Sequence, residues 1–250
     1  IAASGGKPRP IEVGGTGVMH LKWSPDGTKI AFAMPAPATP AQAEAQQHPR
    51  APQVVDAGHR NMQLRVIEIA SDGSARGVAR ALSPGTMNVW TRAEFGNPFL
   101  LGNPFDWSPD GSAIAFAHGV DFFNDWPSMG ISLVDVTGGQ IKPLVASKAI
   151  APSFSPDGRW VAYLATAERS APHNLSVFVI STSGGQPRKL AETFDRQSTL
   201  IGWSADGAHV YVAESRGTFT RLSALPVTGG PARDLDPAIV VGGTGPWHWA

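Results

Sequence analysis

Apolar and polar positions alternate in short bursts along this chain. "TKIAFAM", "SAIAFAH", "RWVAYLA" and "AHVYVAE" are rich in β-branched, aromatic and small apolar residues with partial period-two alternation, the pattern of strands. Each run follows the same five-residue turn: "WSPDG" at 23–27 and 107–111, "FSPDG" at 154–158, "WSADG" at 203–207. Before each turn stands another short apolar segment, "GVMHLKW", "NPFDW", "APSF" or "STLIGW". The turn therefore joins two antiparallel strands. Its chemistry fits a type I turn with a glycine exit: proline presets φ, aspartate caps nearby backbone N–H groups and glycine accepts positive φ. Asp26, Asp110, Asp157 and Asp206 each recur alone at the same place in a repeat, so they read as turn caps and not as metal ligands.

A second turn recurs out of phase: "ASGGKPRPI" at 3–11, "ASDGSARGV" at 70–78, "VTGGQIKPL" at 136–144, "TSGGQPRKL" at 182–190 and "VTGGPARDL" at 227–235. A strand-like segment precedes each later copy: "LRVIEI", "GISLVDV", "LSVFVI" and "RLSALPV". Each unit is strand a, S-P-D-G turn, strand b, loop, strand c, Gly-Gly-type turn, strand d. Four antiparallel strands at a period in the forties predict an all-β fold, a β-propeller of four-stranded blades. The turn serines Ser24, Ser108, Ser155 and Ser204 mark four complete blades, at about 16–83, 103–146, 150–192 and 198–236, the first carrying an insertion at 35–61. Partial blades are expected at both ends. Residues 1–250 then form one propeller domain in part, a fragment of a ring with seven or eight blades, at ~45 residues per blade. Trp23, Trp107, Phe154 and Trp203, at fixed blade positions, are expected in the inter-blade core.

Variable loops on a rigid scaffold are where binding resides. The short a–b and c–d turns share one face, and the b–c and d–a loops share the other. The 35–61 insertion begins rich in Ala, Pro and Gln, with an expected short helix at 40–47 and mobility around it. The d–a loop 85–102 and the b–c loop 119–130 carry Trp90, Arg92, Glu94, Phe95, Asp121, Phe122, Asp125 and Trp126, with Phe99 and Phe123. Aromatics among charges on a rim suit peptide or domain contacts. Taken singly, such rings more often tuck beneath their own loops. Arg196, Glu214 and Arg216 fall on the same face. There a carboxylate can hold a substrate amine and an arginine a carboxylate, or the charges pair with each other or stand solvated.

Composition narrows the options. Twenty basic residues balance twenty acidic ones, so no basic excess points to nucleic acid. No cysteine is present, which removes disulfides and thiolate metal sites. No apolar stretch approaches membrane-spanning length, and the opening "IAASGGKPRP" lacks the charged and apolar regions of a signal peptide. G-x-S-x-G is absent, and the seven histidines repeat no ligand spacing. His59 and His118 lie near the loop face and are expected to be solvated. No catalytic residue, metal or cofactor is assigned.

The S-P-D-G and Gly-Gly pattern resembles the propellers of prolyl oligopeptidase-family serine peptidases, in particular the acylaminoacyl-peptidase and dipeptidyl-peptidase branch. It is shared with the periplasmic propeller of the bacterial Tol system. The stretch from "FDWSPDGSAIAFAH" to "RLSALPVTGG", residues 105–230, carries the resemblance most firmly. It implies a parent chain with a C-terminal α/β-hydrolase domain, its Ser-His-Asp triad having no position here, and peptide substrates gated and oriented by the propeller. Some relatives hold the substrate N-terminus with paired glutamates on a propeller insertion, and no Glu-Glu pair occurs in this sequence. The competing reading is a Tol-like protein-binding module. A free-standing propeller enzyme with a channel site would need convergent polar residues along the a strands, which are mainly apolar. Propellers of this type often belong to exported bacterial proteins, which leans the compartment towards periplasmic or secreted.

Overall fold

The computed structural model describes residues 10–15, 17–47, 60–89, 103–120, 128–166, 175–193, 198–216 and 219–235. These form four successive antiparallel sheets. The first holds β1 (Met19–Trp23), β2 (Lys29–Pro35), β3 (Met62–Ile69) and β4 (Ala75–Ala81) in that order. The second holds β5 (Asn88–Val89), β7 (Ala113–Gly119), β8 (Gly130–Asp135) and β9 (Lys142–Val145), with β6 (Phe105–Trp107) also paired to β7. The third is β10 (Ala149–Phe154), β11 (Trp160–Ala165), β12 (Ser176–Ser181) and β13 (Arg188–Lys189). The fourth is β14 (Thr199–Trp203), β15 (His209–Arg216), β16 (Phe219–Pro226) and β17 (Arg233–Asp234). The fold is a β-propeller, as the repeat implies. Helix α1 (Pro40–Gln47) lies in the insertion where a short helix is expected. Thr39 caps it reciprocally with Gln42: Gln42 N–H donates to Thr39 Oγ1 at 3.3 Å, and Thr39 N–H to Gln42 Oε1 at 3.0 Å.

The four a–b turns are nearly superimposable in their bonding. Each serine Oγ donates to the aspartate two residues on, at 2.5–2.6 Å. The same Oγ accepts the N–H five residues on, at 2.9–3.0 Å. The aspartate in turn accepts the N–H two residues beyond itself, at 2.9–3.0 Å. Gly27, Gly111, Gly158 and Gly207 all sit at φ 68–69°, a region that costs glycine nothing. The aspartates are thus consumed as caps. Their carboxyls are held below the usual 3.8, Asp157 at about 2, chiefly by the serine hydroxyl. The serine, present in every copy, closes the turn from inside and is buried in the first three.

Proline has a second role beyond setting φ. A Cβ built on Gly111 would lie 3.7 Å from Pro25 Cδ; on Gly158, 3.5 Å from Pro109 Cδ; on Gly207, 3.9 Å from Pro156 Cδ. Each turn glycine therefore rests on the proline ring of the preceding turn. In the fourth turn Ala205 stands at the proline position.

Apolar layers fill the seams between sheets. Ala31, Ala33, Met62, Leu64 and Val66 of the first sheet meet Phe105, Trp107, Ile114 and Phe116 of the second. Ala115 and Ala117 face Val161 and Tyr163, while Ala162 and Leu164 meet Val210 and Val212 in the same continuous cluster. Small residues on one side and large ones on the other let neighbouring sheets approach closely. Polar latches reinforce the packing at both edges. Along the inner strands, Trp107 Nε1 donates to Lys22 O and Trp203 Nε1 to Ser153 O, each at 3.1 Å. Phe154 has no indole, and there the buried Asp106 carboxylate accepts Phe154 N–H at 2.8 Å while pairing with Lys22 Nζ at 2.5 Å. Along the outer strands, Arg80 donates to Val136 O, and Lys142 Nζ to Thr182 O at 3.1 Å. Val136 and Thr182 occupy the same place, two residues before the first glycine of their c–d turns.

Among the four blade aromatics, one expectation fails. Trp107 and Phe154 lie in the core, but Trp23 is 48% exposed, because no sheet among the described residues covers its face.

Candidate functional site

Strand alternation puts all b–c and d–a connections at one end of the sheets. Most of the residues assigned there from sequence, namely Trp90, Arg92, Glu94, Phe95, Asp121, Phe122, Asp125, Trp126 and Arg196, lie outside the described residues, as do Phe99, Phe123 and His59. The anchoring of two of their loops is defined. Strand β5 leads into the 90–102 segment, and β7 leads into 121–127. They pair directly, Asn88 with Gly119 and Val89 with His118. Asn88 is buried, and its Oδ1 accepts the Met62 N–H of the first sheet at 2.8 Å. The two aromatic-rich loops therefore spring from adjacent, hydrogen-bonded roots at the junction of the first and second sheets. Val120, the first residue beyond the strand, is 71% exposed.

Ten residues after each turn serine comes a position near the end of strand b that faces the preceding sheet: Met34, His118, Ala165 and Glu214. Two of the four are ionisable. His118 differs from the solvated side chain expected of it. It is half-buried, its Nε2 lies 2.8 Å from the buried Ser132 Oγ, and its ring packs against Phe116 at 5.1 Å. Burial pushes the imidazole below its usual 6.5, favouring the neutral form. Ser132 is too deeply buried to meet a substrate, so the pair positions a strand end and is no nucleophile–base dyad.

Glu214 and Arg216 bond to each other. Glu214 has a fully buried side chain, and its Oε1 accepts Arg216 Nε at 2.8 Å and Nη2 at 2.6 Å. The same guanidinium reaches across to β17, with Nη1 at 2.8 Å from Asp234 Oδ2 and Nη2 at 3.0 Å from Oδ1, and Ser223 Oγ adds a bond to Asp234 at 3.1 Å. The hydrogen bond from Arg216 holds the Asp234 carboxyl below its usual value. Burial works against the guanidinium charge, but the hydrogen bonds to Glu214 and Asp234 outweigh it and raise Arg216. The knot ties β15 to β17 beneath the loop end and presents no open carboxylate at Glu214. Asp106 and Lys22 escaped the sequence reading. Aligning the residue before each blade aromatic, Lys22, Asp106, Ser153 and Gly202, would have shown a cation and an anion in successive blades. Among the described residues no group of three or more His, Asp or Glu is placed to hold a metal ion, and no helix is long and apolar enough to cross a membrane.

No family profile matches the chain. Two curated relatives are dipeptidyl-peptidase 5 of Trichophyton equinum, 30% identical over 106 residues, 41% of this chain and 14% of the relative, and dipeptidyl-peptidase 5 of Trichophyton schoenleinii, 26% identical over 163 residues, 58% of this chain and 22% of the relative. The chain thus matches less than a quarter of the length of either relative. Among solved structures, putative TolB from Agrobacterium tumefaciens superposes with a TM-score of 0.55 at 16% identity, over 88% of this chain and 61% of that one. Acylaminoacyl peptidase, solved with Z-Gly-Gly-Phe-chloromethyl ketone, gives 0.52 at 11% identity, over 88% of this chain and 32% of that one. The structural likenesses carry the fold alone, a β-propeller, and the sequence likeness is to part of dipeptidyl-peptidase 5.

Proposed function

We propose that this propeller portion gates and orients peptide substrates for a serine-hydrolase domain of the same polypeptide. The sequence relationship to dipeptidyl-peptidase 5 carries this reading. The direct pairing of β5 with β7 supports it, because the strands that precede the aromatic and charged sequence segments 90–102 and 121–127 are neighbours in one sheet. The contribution would be steric selection, positioning and exclusion of water, with acyl transfer performed elsewhere. No G-x-S-x-G occurs in the 250 residues, so the chain by itself should not hydrolyse short chromogenic peptides.

The test starts from the complete reading frame. A downstream G-x-S-x-G, together with hydrolysis of short peptides in preference to a folded protein, is the expected result. Shortening the 85–102 loop should then raise cleavage of long peptides relative to short ones. Turnover by the 250-residue chain alone would defeat the reading. A second reading, a protein-binding module, is favoured by the TolB superposition, which scores as high as those of the peptidases. A complete frame of propeller repeats without a hydrolase motif would select it.

A further inference from the structure

Strand a of the second sheet is split in two. In the third sheet it is the continuous β10, which pairs Ala149 with Ala165 at one end and Phe154 with Val161 at the other. In the second sheet the same places fall to β5, where Val89 pairs with His118, and to β6, where Trp107 pairs with Ile114. His118 and Ala165 both stand ten residues after their turn serines. Residues 90–104 come between the two halves, so β5 is a strand of two residues, paired to β7 through Asn88–Gly119 and Val89–His118. Both residues are nevertheless buried, Val89 at 0% and Asn88 at 2% exposure.

The strand is seated beside an imidazole. His118 Nε2 lies 2.8 Å from Ser132 Oγ, and neither side chain has another hydrogen-bond partner among the described residues. A neutral imidazole can accept the Ser132 O–H at Nε2. An imidazolium only donates, which strands that O–H at 1% exposure. Burial, with no neighbouring charge behind it, holds the imidazole below its usual 6.5. The surrounding strands offer no counter-ion. β5 and β10 carry no ionisable residue. Asp106 of β6 holds Lys22 and Phe154 N–H, and Asp135 at the far end of β8 accepts from Thr137. Arg65 of β3 donates to Gln63, and Glu68 faces Arg76 at the far end of that strand. Arg60 and Lys148, just ahead of β3 and β10, are cations. Asp121 and Asp125, which follow β7 in sequence, lie outside the described residues.

A charged ring at this place must reach water, and the two flanks of β7 differ in how they can yield. On the β8 flank, a Cβ on Gly130, the partner of His118, would lie 2.7 Å from Val145 O and 3.1 Å from Ala146 O, and Met129 O accepts Ala149 N–H at 2.9 Å. That flank is wedged against β9 and β10. The other flank is the two-residue β5.

We propose that His118 is an acid-sensitive pin: in the neutral form it seats β5 on β7, and its protonation releases Asn88–Val89 from the sheet. The released form carries an ordinary imidazole, so the seating is fully present well above pH 6.5 and is lost as pH falls through that value. The turn aspartates, held below 3.8, stay charged there and take no part. The proposal stands apart from the peptidase reading. Under that reading, contacts made by the segment that follows β5 weaken in acid.

The experiment is hydrogen exchange, read by mass spectrometry, on the product of the complete reading frame at about pH 7.5 and about pH 5, with labelling times scaled to the intrinsic exchange rate. Peptides covering β5 and His118–Gly119 are expected to exchange several-fold faster in acid, while the Ala149 end of β10 and the Ala165 end of β11 keep one rate. His118→Gln keeps a partner for Ser132 and cannot titrate, so it should abolish the acid response and leave β5 protected at both pH values. Ser132→Ala removes the stranded hydroxyl and should shrink the response. No acid response at β5, an equal one at Ala165, or one that survives His118→Gln would overturn the proposal. If His118→Gln loosens β5 at both pH values, Ser132→Ala decides, and an undiminished response in that variant overturns it.

Discussion

Trp23 and Trp107 hold the same place in two sheets, each just ahead of an S-P-D-G turn, yet one is 48% exposed and the other 4%. Their own strands do not explain the difference. Trp23 pairs with Ile30, and Trp107 with Ile114, in the same register. Their turns are bonded alike, Ser24 to Asp26 and Ser108 to Asp110, both at 2.5 Å. The first sheet's trailing face buries Trp107 and supplies Lys22 O to its indole, while the described residues offer Trp23 no equivalent. The motif therefore encodes two separable things, a hairpin that closes by itself and an aromatic that is satisfied only by a neighbour.

Truncating the aromatic gives the largest test of that separation. Trp107→Ala should cost about 3–5 kcal/mol in chemical denaturation, the range for emptying a packed aromatic site. In the 250-residue chain, Trp23→Ala should cost about 1 kcal/mol or less, as for other surface changes. Equal losses would break the comparison. Next comes the seam without an indole. Asp106→Ala removes the acceptor of Phe154 N–H and the partner of Lys22, and leaves a buried donor unpaired. A loss of about 2–3 kcal/mol is expected, and Lys22→Met should lose less because its ammonium is partly in water. If the two losses match, the strength lies in the ion pair and not in the inter-sheet N–H bond.

The hairpin half of the motif should ignore the neighbour. Ser155→Ala leaves Trp160 N–H without its acceptor and should cost about 1–2 kcal/mol. Ser24→Ala, in the sheet with the open seam, should cost about the same, and a much smaller loss there would show that turn and seam are coupled.

The smallest effect is on pH. The turn carboxyls sit below their usual 3.8 in the folded chain, Asp157 at about 2, so the unfolded chain takes up their protons first. Their contribution is complete above about pH 4 and is lost as pH falls through 3.8 towards 2. Each aspartate is exposed and screened, so the individual terms are small. Thermal melts should nevertheless fall across that window, and the fall should weaken when Asp157→Asn removes one member.

The letters of the chain were enough for the strand order within a blade, the turn chemistry and even the short helix at Pro40–Gln47. All of these arise within a few residues: a serine and an aspartate bond backbone groups two to five positions away, and Thr39 caps its own first turn. Beyond the blade aromatics, what joins one blade to the next was not legible. Asp106 reads as one acid in "NPFDW" until folding sets it between Lys22 and Phe154, 84 residues before it and 48 after. Glu214 and Arg216 read as rim charges that could hold a ligand, stand solvated or pair with each other, until β17 brings Asp234 beside them and burial decides for the pair. Sequence specifies contacts whose partners are near along the chain, where closure entropy is small and side-chain chemistry decides the geometry. Partners one blade away are chosen only when packed sheets fix which faces meet, and that choice makes one tryptophan core and, among the described residues, leaves its twin uncovered.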